Sequence, residues 1–221
     1  MIKRYFSLIL FAAIVLIAQS QNASAQKTAD SKTLKFDQAT EQEFIKGIQG
    51  DSAALERAMK TSERILANNP KDALALVWQG SARLIQARNA FYQGDFSTGS
   101  SVWAQGLSEM EKAVEFAPND PNVLIVRGST WYRASKEFPD PNEANRLLQT
   151  AIGDFEKIIA ANSNNLKLLP AEMQFILLDL AEGYERQGDK TKARNFYQRL
   201  STETTGKTRE TAVKWLEANK Q

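Results

Sequence analysis

Chemistry at a protein site needs groups that exchange protons, attack electrophiles or hold metal ions, and this 221-residue chain offers few of them. It has no His and no Cys. That removes thiolate nucleophiles, imidazole bases, Ser-His-Asp triads, zinc fingers and His-ligated metals together. Carboxylates, Lys, Tyr, Ser and Thr remain. Three close carboxylate pairs are Glu109 with Glu111, Asp154 with Glu156, and Glu182 with Glu185. Such pairs can do glycosidase-type acid–base work. Each lies in a helical pattern rich in Lys and Arg, where solvated faces with i,i+4 ion pairs are the ordinary reading. The sequence holds no Gly-x-Ser-x-Gly, no Walker loop, no Gly-x-Gly-x-x-Gly and no metal-ligand spacing. The expectation is a protein that is not an enzyme, with no cofactor and no metal.

The elements that would position any site are helices. From residue 37 onward apolar residues recur at three and four, and no segment alternates as a strand would. Stops combine Asn or Asp with Pro, as in "ANNPKD" at Pro70, "APNDPN" at Pro118 and Pro121, and "FPDPNE" at Pro139 and Pro141. That composition ends one helix and caps the next. Aligned on these stops, "AMKTSERILANNP" (58–70), "GLSEMEKAVEFAP" (106–118), "AIGDFEKIIAANS" (151–163) and "ARNFYQRLSTETT" (193–205) match in pattern. Upstream, "LVWQGSAR", "LIVRGSTWY" and "LLDLAEGY" repeat a second one: a large aliphatic, then Gly or Ala four residues on. Paired helices that repeat are the mark of a solenoid.

On these residues the chain resembles a tetratricopeptide-repeat (TPR) protein. The last repeat carries Leu177, Leu180, Ala181 and Tyr184 on its first helix, Gly188-Asp189 at the turn, and Ala193, Tyr197 and Leu200 on its second. The third offers Leu124, Gly128, Trp131, Ala151, Phe155 and Ile158, and the second Leu76, Gly80, Gly106, Met110, Ala113 and Pro118. The first keeps Ala58, Ile65 and Pro70. The implied fold is all-α: a right-handed α-solenoid of about four TPR-like hairpins, spanning 37–70, 71–118, 119–163 and 170–205, with a C-terminal capping helix over 206–221. Gly80, Gly128 and Ala181 sit where each first helix would cross its partner closely, and Gly in a helix interior needs such a reason. In the capping helix Ala212, Val213 and Leu216 form the apolar stripe, with Trp215 beside it.

The repeat lengths depart from the resemblance. The ordinary period is about 34 residues, whereas Ala58, Gly106, Ala151 and Ala193 are 48, 45 and 42 apart. The hairpins of repeats two and three should therefore project beyond the solenoid edge, with "QGDF" turning between two helices of about 20 residues. TPR proteins line their groove from the first helix of each pair. The resemblance thus makes Ser81, Arg88, Ser129, Tyr132, Arg133, Glu182 and Arg186 candidate partner-binding residues, beside Val77, Ile125 and Leu178. The Lys and Asn that grip a peptide carboxylate in some TPR proteins are missing from these positions.

The first 25 residues read as a signal peptide: basic "MIKR", an apolar run from Tyr5 to Ala18, then Ala23-x-Ala25. The run is 14 residues long, short of the roughly 20 that span a bilayer. Residues 26–36 read as a flexible spacer. Removing Lys3 and Arg4 with the leader reduces 28 basic residues to 26, against 26 acidic. A neutral mature chain without a basic stripe argues against nucleic acid or an anionic membrane as partner. The expected protein is exported, periplasmic or secreted, and binds a protein or peptide in its groove or on its long hairpins. The alternative is a small-molecule-binding solenoid accessory to a solute importer.

Overall fold

The computed structural model describes residues 34–162 and 170–220. The expected leader, the cleavage site and most of the spacer lie outside the described residues. Within them every regular element is helical: α1 (Gln38–Ile48), α2 (Ser52–Asn68), α3 (Ala73–Tyr92), α4 (Phe96–Phe116), α5 (Pro121–Glu137), α6 (Pro141–Asn162), α7 (Pro170–Arg186), α8 (Lys190–Glu203) and α9 (Gly206–Ala218). The fold is all-α.

Helix starts follow from side-chain caps. Asp37, Asp51, Asp72, Asp95 and Asp189 each accept a hydrogen bond from the backbone N–H three residues on, at 2.8–3.0 Å. Each satisfies a donor the helix itself cannot. Three of the turns use the same tripeptide, Gln-Gly-Asp, at 49–51, 93–95 and 187–189. Gly94 at φ +82° and Gly188 at φ +79° take the left-handed conformation that ends one helix, and the following Asp opens the next. The α5–α6 turn differs: Pro139 and Asp140 replace the Gly, and Asp140 accepts from Asn142 N–H at 2.8 Å.

The helices pair as hairpins α1–α2, α3–α4, α5–α6 and α7–α8, with α9 on α8. Each hairpin also touches the next, through α2 with α3, α3 with α5, and α6 with α7. This is a linear, helical-repeat-like stack. The four small residues that open the aligned second-helix segments, Ala58, Gly106, Ala151 and Ala193, are all buried. A Cβ on Gly80 would stand 2.6 Å from the Gly106 carbonyl oxygen and 2.7 Å from Met110 Cγ. There α3 and α4 meet backbone to backbone. A Cβ on Gly128 would meet the Phe155 ring at 2.9 Å. Aromatic contacts continue the core from hairpin to hairpin: Phe44 stacks on Trp78 at 5.8 Å, and Phe155 meets Phe175 edge-on at 6.3 Å. Phe36, the last spacer residue, stacks on Phe44.

Helices α3 and α4 are 20 and 21 residues long. In the third hairpin the extra length goes to α6, with 22 residues against 17 in α5. Trp103 packs on Phe138 at the tip of α5–α6, with ring centroids 4.9 Å apart. Phe96 begins α4 seven residues earlier, so α3–α4 runs about 10 Å past that contact. Helix α9 departs from expectation at one residue. Ala212 is buried and Trp215 and Leu216 partly so, but Val213 is exposed, because the α8 surface reaches only two sides of so short a helix.

Candidate functional site

The expected groove residues fall on the inner row of first helices, α3, α5 and α7, and most are already engaged. Ser81 is buried and its hydroxyl lies 2.9 Å from that of Thr130. Ser129 is buried too, with no partner for its hydroxyl among the described residues. Arg88 is partly buried, and its Nε lacks an acceptor among the described residues. Val77 and Ile125 are likewise buried. The inner faces of α3 and α5 therefore pack against one another rather than lining an open channel. Spacing alone could not show this, because it depends on how closely successive hairpins stack.

The remaining four candidates converge where α5 meets α7. Tyr132 is buried, and its hydroxyl donates to Glu182 Oε2 at 2.7 Å. Lys136 Nζ donates to the same oxygen at 3.1 Å and sits 4.2 Å from the Tyr132 ring centroid. Arg186, one turn beyond Glu182, reaches back to α5. It donates through Nη1 to Ser135 Oγ and through Nη2 to Ser135 O, both at 2.8 Å. Arg186, expected among the partner-binding residues, ties α7 to the last turn of α5. Tyr132 was a candidate exposed aromatic and is instead a buried cross-hairpin donor. Arg133 is half-buried beside Asp179, and burial lowers its pKa while Asp179 and Glu137 act to raise it.

Asp179 escaped the sequence reading, although a carboxylate inside "FILLDLA" (175–181) was a visible signal. It is 2% exposed and its Oδ2 has no partner among the described residues. Burial pushes its carboxyl up to about 8; Lys136 and Arg133 oppose this and Glu182 adds to it. Burial is also the chief cause that raises the Tyr132 phenol far above its ordinary value, with Asp179 and Glu182 adding to it. A carboxyl kept protonated near neutrality is a resource for acid catalysis. Here it faces packed side chains, and its neighbours' protons are committed to one another. The cluster is a polar joint between the third and fourth hairpins.

The carboxylate pairs meet the expected solvated faces only in part: Glu111, Glu156 and Glu185 are exposed, whereas Glu109 and Glu182 are half-buried and Asp154 is buried. Glu109 takes Arg83 from α3 on both oxygens at 2.9 Å. Asp154 holds Arg127 of α5 at 2.7 and 2.6 Å in a buried two-point pair. Burial raises the Asp154 carboxyl while Arg127 lowers it. Glu156 accepts from the Tyr184 hydroxyl. Glu185 accepts from Trp215 Nε1 at 2.8 Å. These acids join helices. Among the described residues no group of acidic side chains is placed to hold a metal ion, and no helix is long and apolar enough to cross a membrane.

Among the described residues the most exposed aromatic side chains lie at the end of α3–α4. Tyr92 and Phe96 are each 68% exposed. Phe91 backs them, its ring 6.2 Å from that of Phe96 and seated over Gly99.

No family model matches this chain, and no curated protein matches it. Among solved structures it is similar to a monomeric mutant of IFIT1 with Gppp-AAAA, at 15% sequence identity and a TM-score of 0.35. The match covers 79% of this chain and 51% of that one, so this chain spans about half the length of that protein.

Proposed function

We propose that this protein is an exported, non-enzymatic scaffold of TPR type in the cell envelope, and that it holds a protein partner on the end of its longest hairpin. One observation carries the reading. Tyr92 and Phe96 stand 68% exposed on the projecting tip, while the inner-row candidates are spent on packing between hairpins. Aromatic side chains on rigid helices supply contact area at small entropic loss, and they are over-represented among residues that carry interface energy. The groove then serves as structure and the projecting edge as the contact.

Export rests on the leader-like first 25 residues and cleavage after Ala25, and is tested by N-terminal sequencing of protein recovered from the host. Gln26 as the first residue supports it; Met1 counts against it. Partner capture is tested by affinity isolation from envelope extract with the parent, with Tyr92→Ser/Phe96→Ser and with Lys157→Ala. The tip variant should lose a specific partner at least about tenfold, or about 1.4 kcal/mol, at an unchanged melting temperature. The Lys157→Ala protein should retain it. Capture undiminished in the tip variant would return the site to the inner face.

A further inference from the structure

A second concave surface lies at the far end of the chain, between the first turn of α8 and the last turn of α9. It encloses about 280 Å³, close to the lower end of the range for small-ligand sites. Lys190, Arg194 and Lys220 line it, and none of its described lining residues is acidic. In a chain whose Lys and Arg nearly balance its Asp and Glu, 28 against 26, such segregation is local. Two carboxylates of the neighbouring turns already accept hydrogen bonds from this chain. Asp189 caps α8, accepting the Lys192 N–H at 2.9 Å. Glu185 takes Trp215 Nε1 at 2.8 Å and the Tyr197 hydroxyl at 3.2 Å. No described counter-ion fills the groove.

Two of the walls are fixed in advance. Trp215 is stacked on Tyr197 with ring centroids 4.3 Å apart, and its indole nitrogen is held by Glu185. Arg194 is anchored through Nη2 to the Asn219 carbonyl, which keeps its guanidinium at the groove. Lys190 is the first residue of α8, where the partial positive charge of the helix end adds to its own. Thr191 and Asn195 supply hydroxyl and amide groups on the same wall. Fixed cations, one aromatic face and a few neutral polar groups make a site for a ring that bears both hydroxyls and negative charge.

We propose that this groove binds a small anionic sugar, with Lys190, Arg194 and Lys220 on the charged group and Trp215 against the ring. Phosphate esters and carboxylates share the required charge, and the test separates the two. The chain has four Trp residues, so its indole N–H signals are few, and loss of one in Trp215→Phe assigns the reporter. The protein is titrated with ribose 5-phosphate, glucuronate, ribose and inorganic phosphate. At least one of the two anionic sugars should shift the Trp215 signal saturably, with a dissociation constant of about 1 mM or tighter. Added salt should weaken that binding. Lys190→Ala/Lys220→Ala removes two exposed cations that have no ion-pair partner among the described residues, so it should weaken binding at least about tenfold at an unchanged melting temperature. The proposal is overturned if neither anionic sugar shifts the signal. It also falls if ribose or inorganic phosphate alone binds as tightly, or if the double variant binds like the parent.

Discussion

The Tyr132 hydroxyl donates to Glu182 Oε2 at 2.7 Å, and this bond crosses from the third hairpin to the fourth. Tyr132→Phe deletes the donor and keeps the ring. A hydrogen bond to a charged acceptor contributes about 1.5–3 kcal/mol, but the Glu182 side chain is 37% exposed and Lys136 still serves the same oxygen, so a loss of about 1–2 kcal/mol is expected. Urea denaturation of Tyr132→Phe, Glu182→Gln and the double variant should give a coupling energy of about 1 kcal/mol. Strictly additive losses would mean that the bond contributes nothing.

Asp179 should make stability depend on pH. Its folded-state pKa of about 8 lies above the unfolded value of about 3.9, so folding takes up a proton. The stabilisation is complete below about pH 4 and is lost as pH rises to about 8. The chain has no His or Cys to titrate in this window. Burial also raises Glu41, Glu109 and Asp154, so the comparison must be with Asp179→Asn. Denaturation at about pH 5 and about pH 9 should show a smaller difference for Asp179→Asn than for the parent. Equal differences would assign the dependence to other groups.

The glycines should split into two kinds. Gly80→Ala forces a Cβ into the Gly106 carbonyl at 2.6 Å, and a loss of about 2–3 kcal/mol is expected. Gly153, inside α6, has open space where a methyl would stand, with nothing within 4 Å, so Gly153→Ala should stabilise by about 0.5–1 kcal/mol. Thermal melting of both variants measures this, and a stabilising Gly80→Ala would refute the close α3–α4 crossing.

The Arg127–Asp154 pair predicts an asymmetry. Arg127→Met leaves a buried carboxyl alone and should cost about 3–5 kcal/mol. Arg127→Met/Asp154→Leu removes both charges and should recover most of that loss. Chemical denaturation decides it: a double variant no better than the single would mean that packing, and not the stranded acid, sets the loss.

The fold was legible because its determinants are local. Pro and Asp mark helix ends, and small residues at Ala58, Gly106, Ala151 and Ala193 mark the crossings. The Gln-Gly-Asp shared by three turns is a signal of the same local kind. The site was harder. Tyr132 and Ser129 occupy positions that line an open groove only if successive hairpins splay, and their burial comes from inter-hairpin packing that no residue spacing encodes. Glu109 and Asp154 looked like solvated acids because their Arg partners lie 26 and 27 residues away in sequence. Val213 was assigned by helical period alone, which cannot tell how wide a neighbour is.

The junctions along the stack are chemically unlike. The first is closed by Phe44 on Trp78, whereas the inner half of the third is built of Tyr132, Lys136, Asp179, Glu182 and Arg186. In a linear array each unit is stabilised only by its neighbours, so the weakest junction decides where the chain divides. The third junction, where Asp179 loses its stabilising proton as pH rises, is expected to be that point. Amide protons in α7 to α9 should therefore exchange with solvent as one block, ahead of those in α1 to α6. Once corrected for intrinsic rates, the gap between the blocks should widen in alkaline buffer, making the molecule two cooperative segments joined by a proton-sensitive seam.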